Sequence, residues 1–246
     1  MEILYTVRDD TVLAKYQDFV RRNENRLQEY LSFLEKTYAV NQLPRALVLT
    51  DAETATHLLS DIPVPAYTND YRTVFCPELE SWKSIYLRQL NTLPESASVR
   101  QIRQYYESQL SESNVLQILG HEFVHHSDLF PEGSYESGIW FEEGMCEYIS
   151  RRFFLSEDAF AKEAEINEML VSLLWDLYGG ESLEAFGADT YDGSYAAIFF
   201  SYWRSFLAVK ALVEKREGDV MAVFLDYHAW LDSGRQMPLS QWFALK

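Results

Sequence analysis

The sequence predicts an α+β protein that is predominantly helical. A small N-terminal sheet region in residues 1–112 is followed by a helical lobe in residues 113–246, with a cleft between them. Three observations predict this. Strand-like runs, Ile3–Val7, Ala46–Thr50 and the pair Ala66–Thr68 and Tyr71–Cys76, are read only in the first third of the chain. From Ser111 onward, apolar residues recur at helical spacing almost throughout. No flexible linker separates the two regions, so they read as two lobes of one unit rather than as independent domains.

The elements come in this order. Ile3–Val7 is strand-like. Leu13, Tyr16, Phe19, Val20, Leu27, Tyr30, Leu31 and Leu34 then fall at helical spacing and predict one long helix, in a region that Pro44 ends. Ala46–Thr50 reads as a buried strand, with Asp51 capping a short helix up to Ser60. Pro63 and Pro65 enforce extended chain. Ala66–Thr68 and Tyr71–Cys76 predict a β-hairpin around Asn69-Asp70. Glu78–Ser108 is mostly helical with a break at Pro94. Beyond it, helices are expected over 113–127, 138–153, 157–178, 191–214, 217–231 and 238–244, punctuated by Gly179, Gly180, Gly187, Gly193 and Gly218.

The totals exclude some functions. The formal net charge of −17 opposes binding to nucleic acid or anionic lipid through charge. Cys76 and Cys146 make no disulfide framework. Met1–Asp10 lacks the cationic start and long apolar run of a signal peptide. No apolar run approaches the ~20 residues that cross a bilayer; the longest, around Tyr195–Leu212, is broken by Ser201, Arg204, Ser205 and Lys210. A cytoplasmic setting with no membrane partner is the expectation.

The chemistry lies in His121-Glu122-Phe123-Val124-His125, which reads H-E-x-x-H. Residues four apart on a helix lie about 40° from each other around its axis, so the two imidazoles can converge on one ion. Glu122 flanks the pair, within reach of a metal-bound water. The bland alternative is a surface helix with two unrelated histidines. Val115, Leu116, Ile118, Leu119, Phe123 and Val124 weigh against it, because they make the helix apolar over much of its circumference and hence buried. Buried imidazoles and carboxylates need partners, and a metal satisfies all three groups at once.

Catalytic zinc takes three protein ligands and leaves a position for water. In Gly138–Arg152 the helical period puts Glu143 and Glu147 on one face, with Glu142 elsewhere. Glu143 is the expected third ligand; the alternative is a solvated acidic face. Glu147, one turn on, is placed to accept the second ring N–H of a ligating histidine, or is simply exposed. Gly144, and Gly120 beside His121, suggest that the two helix backbones approach closely there. His126 is turned about 100° from His125 and suits a helix end or a supporting position better than ligation. His57 reads as structural, and Cys146 as a small buried thiol rather than a ligand.

H-E-x-x-H followed by Trp140-Phe141-Glu142-Glu143-Gly144-Met145-Cys146-Glu147-Tyr148 resembles the gluzincin metallopeptidases over about residues 113–150. The resemblance implies a zincin-like helical lobe, one Zn2+ per chain on His121, His125 and Glu143, and Glu122 as the catalytic base. Glu147 corresponds to an orienting carboxylate of some members. The interval from His125 to Glu143 is slightly short for the family, so the loop Ser127–Ser137 is expected to differ in shape. The metzincin extension is missing, with Asp128 and Pro131 in its place, as is the G-x-M-E-N signature of the large aminopeptidases.

The implied activity is hydrolysis of peptide bonds by a metal-activated water, with Glu122 moving its proton to the leaving amine. The oxyanion needs a further donor, for which the resemblance implies a Tyr or His from the helical lobe. Tyr195 is the choice, with Tyr191, Tyr202 and His228 as rivals. The expected partner is a peptide or protein substrate. The alternatives are a metallohydrolase of a non-peptide amide, and a catalytically silent zincin-like binding protein.

Overall fold

Among the described residues the strands form one mixed sheet, parallel except for one edge strand. In the computed structural model, which describes residues 1–60, 62–91, 93–131 and 138–245, these are β1 (Glu2–Tyr5), β2 (Ala46–Leu49), β3 (Ala66–Thr68) and β4 (Arg72–Phe75). β2 lies parallel to β1 and to β4, with Leu4 opposite Val48 and Val48 opposite Val74. β3 returns antiparallel on β4, Tyr67 facing Val74, and forms one edge of the sheet. The hairpin turn is the expected one: the Asn69 side chain accepts from the backbone N–H of Tyr71 and of Arg72, both at 3.0 Å.

The helices are α1 (Asp10–Tyr38), α2 (Ala52–His57), α3 (Leu79–Arg88), α4 (Ala97–Ser108), α5 (Glu112–Val124), α6 (Ile139–Phe154), α7 (Glu157–Tyr178), α8 (Tyr195–Lys215), α9 (Val220–Asp232) and α10 (Leu239–Trp242). The protein is thus α+β and mainly helical. Short polar side chains start several of them. Asp9 caps α1 at the N–H of Thr11 and Val12, Asp51 caps α2 at Thr54, and Ser194 caps α8 at Ala197. α1 closes on Ala39 in the left-handed conformation (φ 51°), ahead of Pro44.

The chain divides into two compact units. The first holds Met1–Asp128 and Ile149–Ser156; the second holds Leu129–Tyr148 and Glu157–Lys246. The first unit runs past the division expected near residue 112, because α5 packs on the sheet through β3 and β4. Its core includes Tyr30, Leu34, Leu49, Val74, Phe75, Trp82, Leu116 and Leu119. α5 and the end of α6 meet within it. The Arg26 guanidinium reaches both the Ser113 hydroxyl at the start of α5 and the Phe154 carbonyl at the end of α6, and Gln117 donates to Ser150 at 3.3 Å.

In the second unit, Phe141 stacks on Tyr227 with ring centroids 4.4 Å apart, and Phe160 meets Phe206 edge-on. α8 packs along α7 here. By length and composition alone α8 is long and apolar enough to cross a bilayer, contrary to the expectation from its polar residues, and 56% of that stretch is buried. Residues 132–137, most of the loop expected to differ in shape, lie outside the described residues.

Two expectations for this region need correction. α8 begins at Tyr195 rather than 191, because Gly193 breaks the chain direction and Ser194 caps a new helix; residues Ala188–Asp192 form a separate 3₁₀ turn. The two glycines do not form one contact: only Gly120 meets the other's helix, through Phe154 at the end of α6. A Cβ on Gly144 would collide with the carbonyl oxygen of Ser205 on α8, within the second unit. A Cβ on Gly120 would stand 2.6 Å from the Phe154 ring and 2.9 Å from the Tyr30 ring, within the first. The reason is rotational: Gly144 is turned about 100° from Glu143, so it cannot present itself to the neighbour Glu143 faces.

Candidate functional site

His121 and His125 are brought together. Their Nε2 atoms lie 3.1 Å apart, and their ring planes are inclined at 67°. The helix supplies this spacing, but its end adjusts it. α5 stops at Val124, and His125 caps it with helical dihedrals (φ −55°, ψ −21°). The next two amides bond three residues back, His126 N–H to Phe123 and Ser127 N–H to Val124, a 3₁₀ tightening of the last turn. The helix is shorter than expected because of how the chain is captured after it: the Ser127 hydroxyl donates to the Tyr38 carbonyl, and the Asp128 N–H donates to that of Ala39.

His126, as expected, serves as a support. Its Nε2 lies 2.7 Å from the Thr68 hydroxyl, which is itself 2.9 Å from that of Thr73. This polar chain ties the histidine-bearing helix to the edge strand β3. Glu122 is buried on α5 beside His121. His57 sits apart, its Nδ1 3.2 Å from the Glu53 carbonyl.

The acids of α6 fall in the second unit. Glu143 is almost wholly buried, and Glu142 is buried as well; Glu147, one turn after Glu143, is half-buried. Glu143 Oε1 accepts from the Tyr191 hydroxyl at 3.3 Å, and that hydroxyl is 2.8 Å from the hydroxyl of Tyr202. Phe186 packs on both tyrosine rings and fixes them. Of the four candidate oxyanion donors, therefore, two form one hydroxyl chain on Glu143. Tyr195 has its ring stacked on Phe199 along α8. His228 bonds the Leu129 carbonyl through Nε2 at 2.9 Å.

The residues able to hold a metal are thus His121 and His125 in the first unit, and Glu143, Glu147 and the fully buried thiol Cys146 on α6 in the second. Burial pushes the pKa of the other thiol, Cys76, up to about 12, which disfavours its thiolate.

Sequence alone places Tyr195 first among the candidate donors and does not single out Tyr191 as a partner of Glu143. The signal for that partnership is Gly193-Ser194, a break and a cap that together put Tyr191 on a turn before the helix. No protein-family model matches the chain, and neither the curated proteins nor the solved structures contain a detectable match to it.

Proposed function

We propose that the protein is a zinc-dependent peptidase in which His121, His125 and Glu143 hold one Zn2+ per chain and Glu122 is the general base. The observation that carries the reading is the 3.1 Å approach of the two histidine Nε2 atoms. Two nitrogens each ~2.0–2.1 Å from one tetrahedral zinc stand about 3.3 Å apart, so the rings need hardly move to accept it. A hydrogen bond between two neutral rings satisfies the same distance. The buried carboxylate of Glu122 next to them favours the metal.

α5 meets the end of α6 through Gln117 and Ser150, and α6 is the helix that carries Glu143, which supports a third ligand from it. α6 is a single helix; Glu143 lies two turns before Ser150, and His125 lies two turns after its partner Gln117. The reading requires that this pairing continue along both helices. Cys146 is the rival donor, one turn before Ser150. The zincin-like arrangement, with a cleft between the two halves of the chain, belongs to the same proposal.

Bound zinc supplies a Lewis acid that makes water a nucleophile near neutral pH. The rest falls to the chain. The Glu122 carboxylate accepts a proton from the attacking water and returns it to the leaving amine. The Tyr191 hydroxyl orients the Glu143 carboxylate and is better supported than Tyr195 as the donor to the oxyanion. Glu147 remains the candidate for orienting a ligating histidine.

An extended peptide fits the edge of β3. Cys76 N–H bonds Pro65 and Asn69 N–H bonds Arg72, so by alternation the Ala66 and Thr68 backbone groups point away from β4. A cytoplasmic setting, with no nucleic-acid or membrane partner, accompanies this reading. A metallohydrolase of a non-peptide amide would use the same groups, and a silent binding protein would need no Glu122. Glu122→Gln therefore tests the proposal: it should keep zinc and abolish cleavage of an unbiased peptide library. A library untouched by the zinc-loaded wild type refutes broad peptidase activity.

A further inference from the structure

A cavity of about 280 Å³ in the second unit has no role in the chemistry above. Its walls come from the end of α7, the two 3₁₀ turns Leu183–Ala185 and Ala188–Asp192, and the first turns of α8. They mix apolar and polar groups in nearly equal measure, with Leu183, Ala197 and Phe200 making an apolar side. Phe186 lines it too and packs on its other contacts against Tyr191 and Tyr202.

Two polar groups in the lining are under-used. Arg204 is partly buried, its guanidinium held over the rings of Trp175 and Phe200 at 5.2 and 5.4 Å. Its one hydrogen bond goes to the Glu181 carbonyl, and among the described residues no carboxylate lies at ion-pair distance. Burial pulls its pKa below the ordinary arginine value, and the more distant charges of Glu184 and Glu181 offset this only in part. Next to it Ser205 is fully buried, and its hydroxyl meets no hydrogen-bond partner among the described residues. A buried hydroxyl left unbonded costs free energy that a ligand can recover.

We propose that this cavity binds a small organic molecule with one carboxylate and an apolar body, the carboxylate on Arg204 and Ser205 and the body against Phe200 and Leu183. The surrounding acids argue for a single negative charge. Glu181 and Asp189 stand exposed nearby and repel a phosphate more strongly than a carboxylate, while Glu184 is occupied by the Ser240 N–H at 2.8 Å. The site lies wholly in the second unit and does not depend on the metal reading.

The test is binding of N-acetyl-leucine to the whole protein, followed by calorimetry or ligand-observed NMR, against N-acetyl-leucinamide and inorganic phosphate. Saturable binding of the acid at millimolar concentration is expected, with the amide and phosphate at least tenfold weaker. Arg204→Met keeps the stem on its two rings and should weaken the acid at least tenfold. Ser205→Ala removes a hydroxyl that bonds nothing among the described residues, so it should weaken binding without lowering the melting temperature. Equal binding of acid and amide, tighter binding of phosphate, no binding of the acid, or unchanged binding in Arg204→Met would overturn the proposal. Because the readout is binding, Glu122→Gln should respond like wild type, which separates this outcome from that of the peptidase reading.

Discussion

The Nε2 atoms of His121 and His125 stand 3.1 Å apart at the end of α5, one on the last full turn and one on the residue that caps it. Zinc added to metal-free protein should therefore raise its melting temperature, since a ligand that binds only the folded state stabilises it by mass action. Thermal denaturation with and without zinc checks this. In His125→Ala the zinc-dependent rise should vanish.

The Tyr191 hydroxyl on Glu143 distinguishes it from Tyr195, the donor expected from the sequence. Tyr191→Phe should lower metal affinity or turnover about 10–100-fold, as loss of a supporting hydrogen bond to a ligand does. Tyr195→Phe should stay close to wild type. Zinc competition assays and peptide kinetics on the two variants decide it. The reverse ranking would restore Tyr195.

Gly144→Ala should destabilise the protein by about 3 kcal/mol or more, because the new Cβ meets a backbone carbonyl on α8 and Val209 Cγ2 at 2.7 Å, and a helix backbone cannot step aside. Gly120→Ala meets only aromatic side chains and should cost less. Urea denaturation of both variants gives the order.

Much of this fold was legible in the sequence because its signals are local. The long helix α1, the Asp51 cap, the hairpin turn at Asn69 and the glycine punctuation depend on residues a few positions apart. The metal motif is local too, since four residues of helix fix the two imidazoles. The features that were not legible depend on distant partners. Nothing around Gly144 names α8 as its neighbour, and the parallel register of β1, β2 and β4 is set by segments tens of residues apart. The division near residue 112 failed to anticipate that α5 packs with the sheet, because a helix apolar nearly all round does not say which side of a boundary it belongs to. The Arg204 cavity was invisible for the same reason: Arg204 and Ser205 read only as interruptions of an apolar helix.

Glu112 couples stability to acid. Burial works against its charge, but hydrogen bonds from Arg22 at 2.7 Å and Asn23 at 2.8 Å outweigh it and hold the carboxyl below its ordinary value. A carboxyl depressed in the folded state adds stability that is fully present above its unfolded pKa, ~4.3, and lost as pH falls through the folded value. Glu112→Gln should be less stable than wild type at pH 7, and the gap should close below about pH 4. Denaturation midpoints across that range check it.

The most direct measurement of the central claim is X-ray absorption at the zinc edge of zinc-loaded protein, with the metal counted per chain. The account predicts one zinc per chain with only nitrogen and oxygen neighbours at ~2.0–2.1 Å, two of them imidazole, as His121, His125 and Glu143 require. A sulfur neighbour at ~2.3 Å would give the third place to Cys146 instead of Glu143, and protein that takes up no zinc would contradict the metal centre altogether.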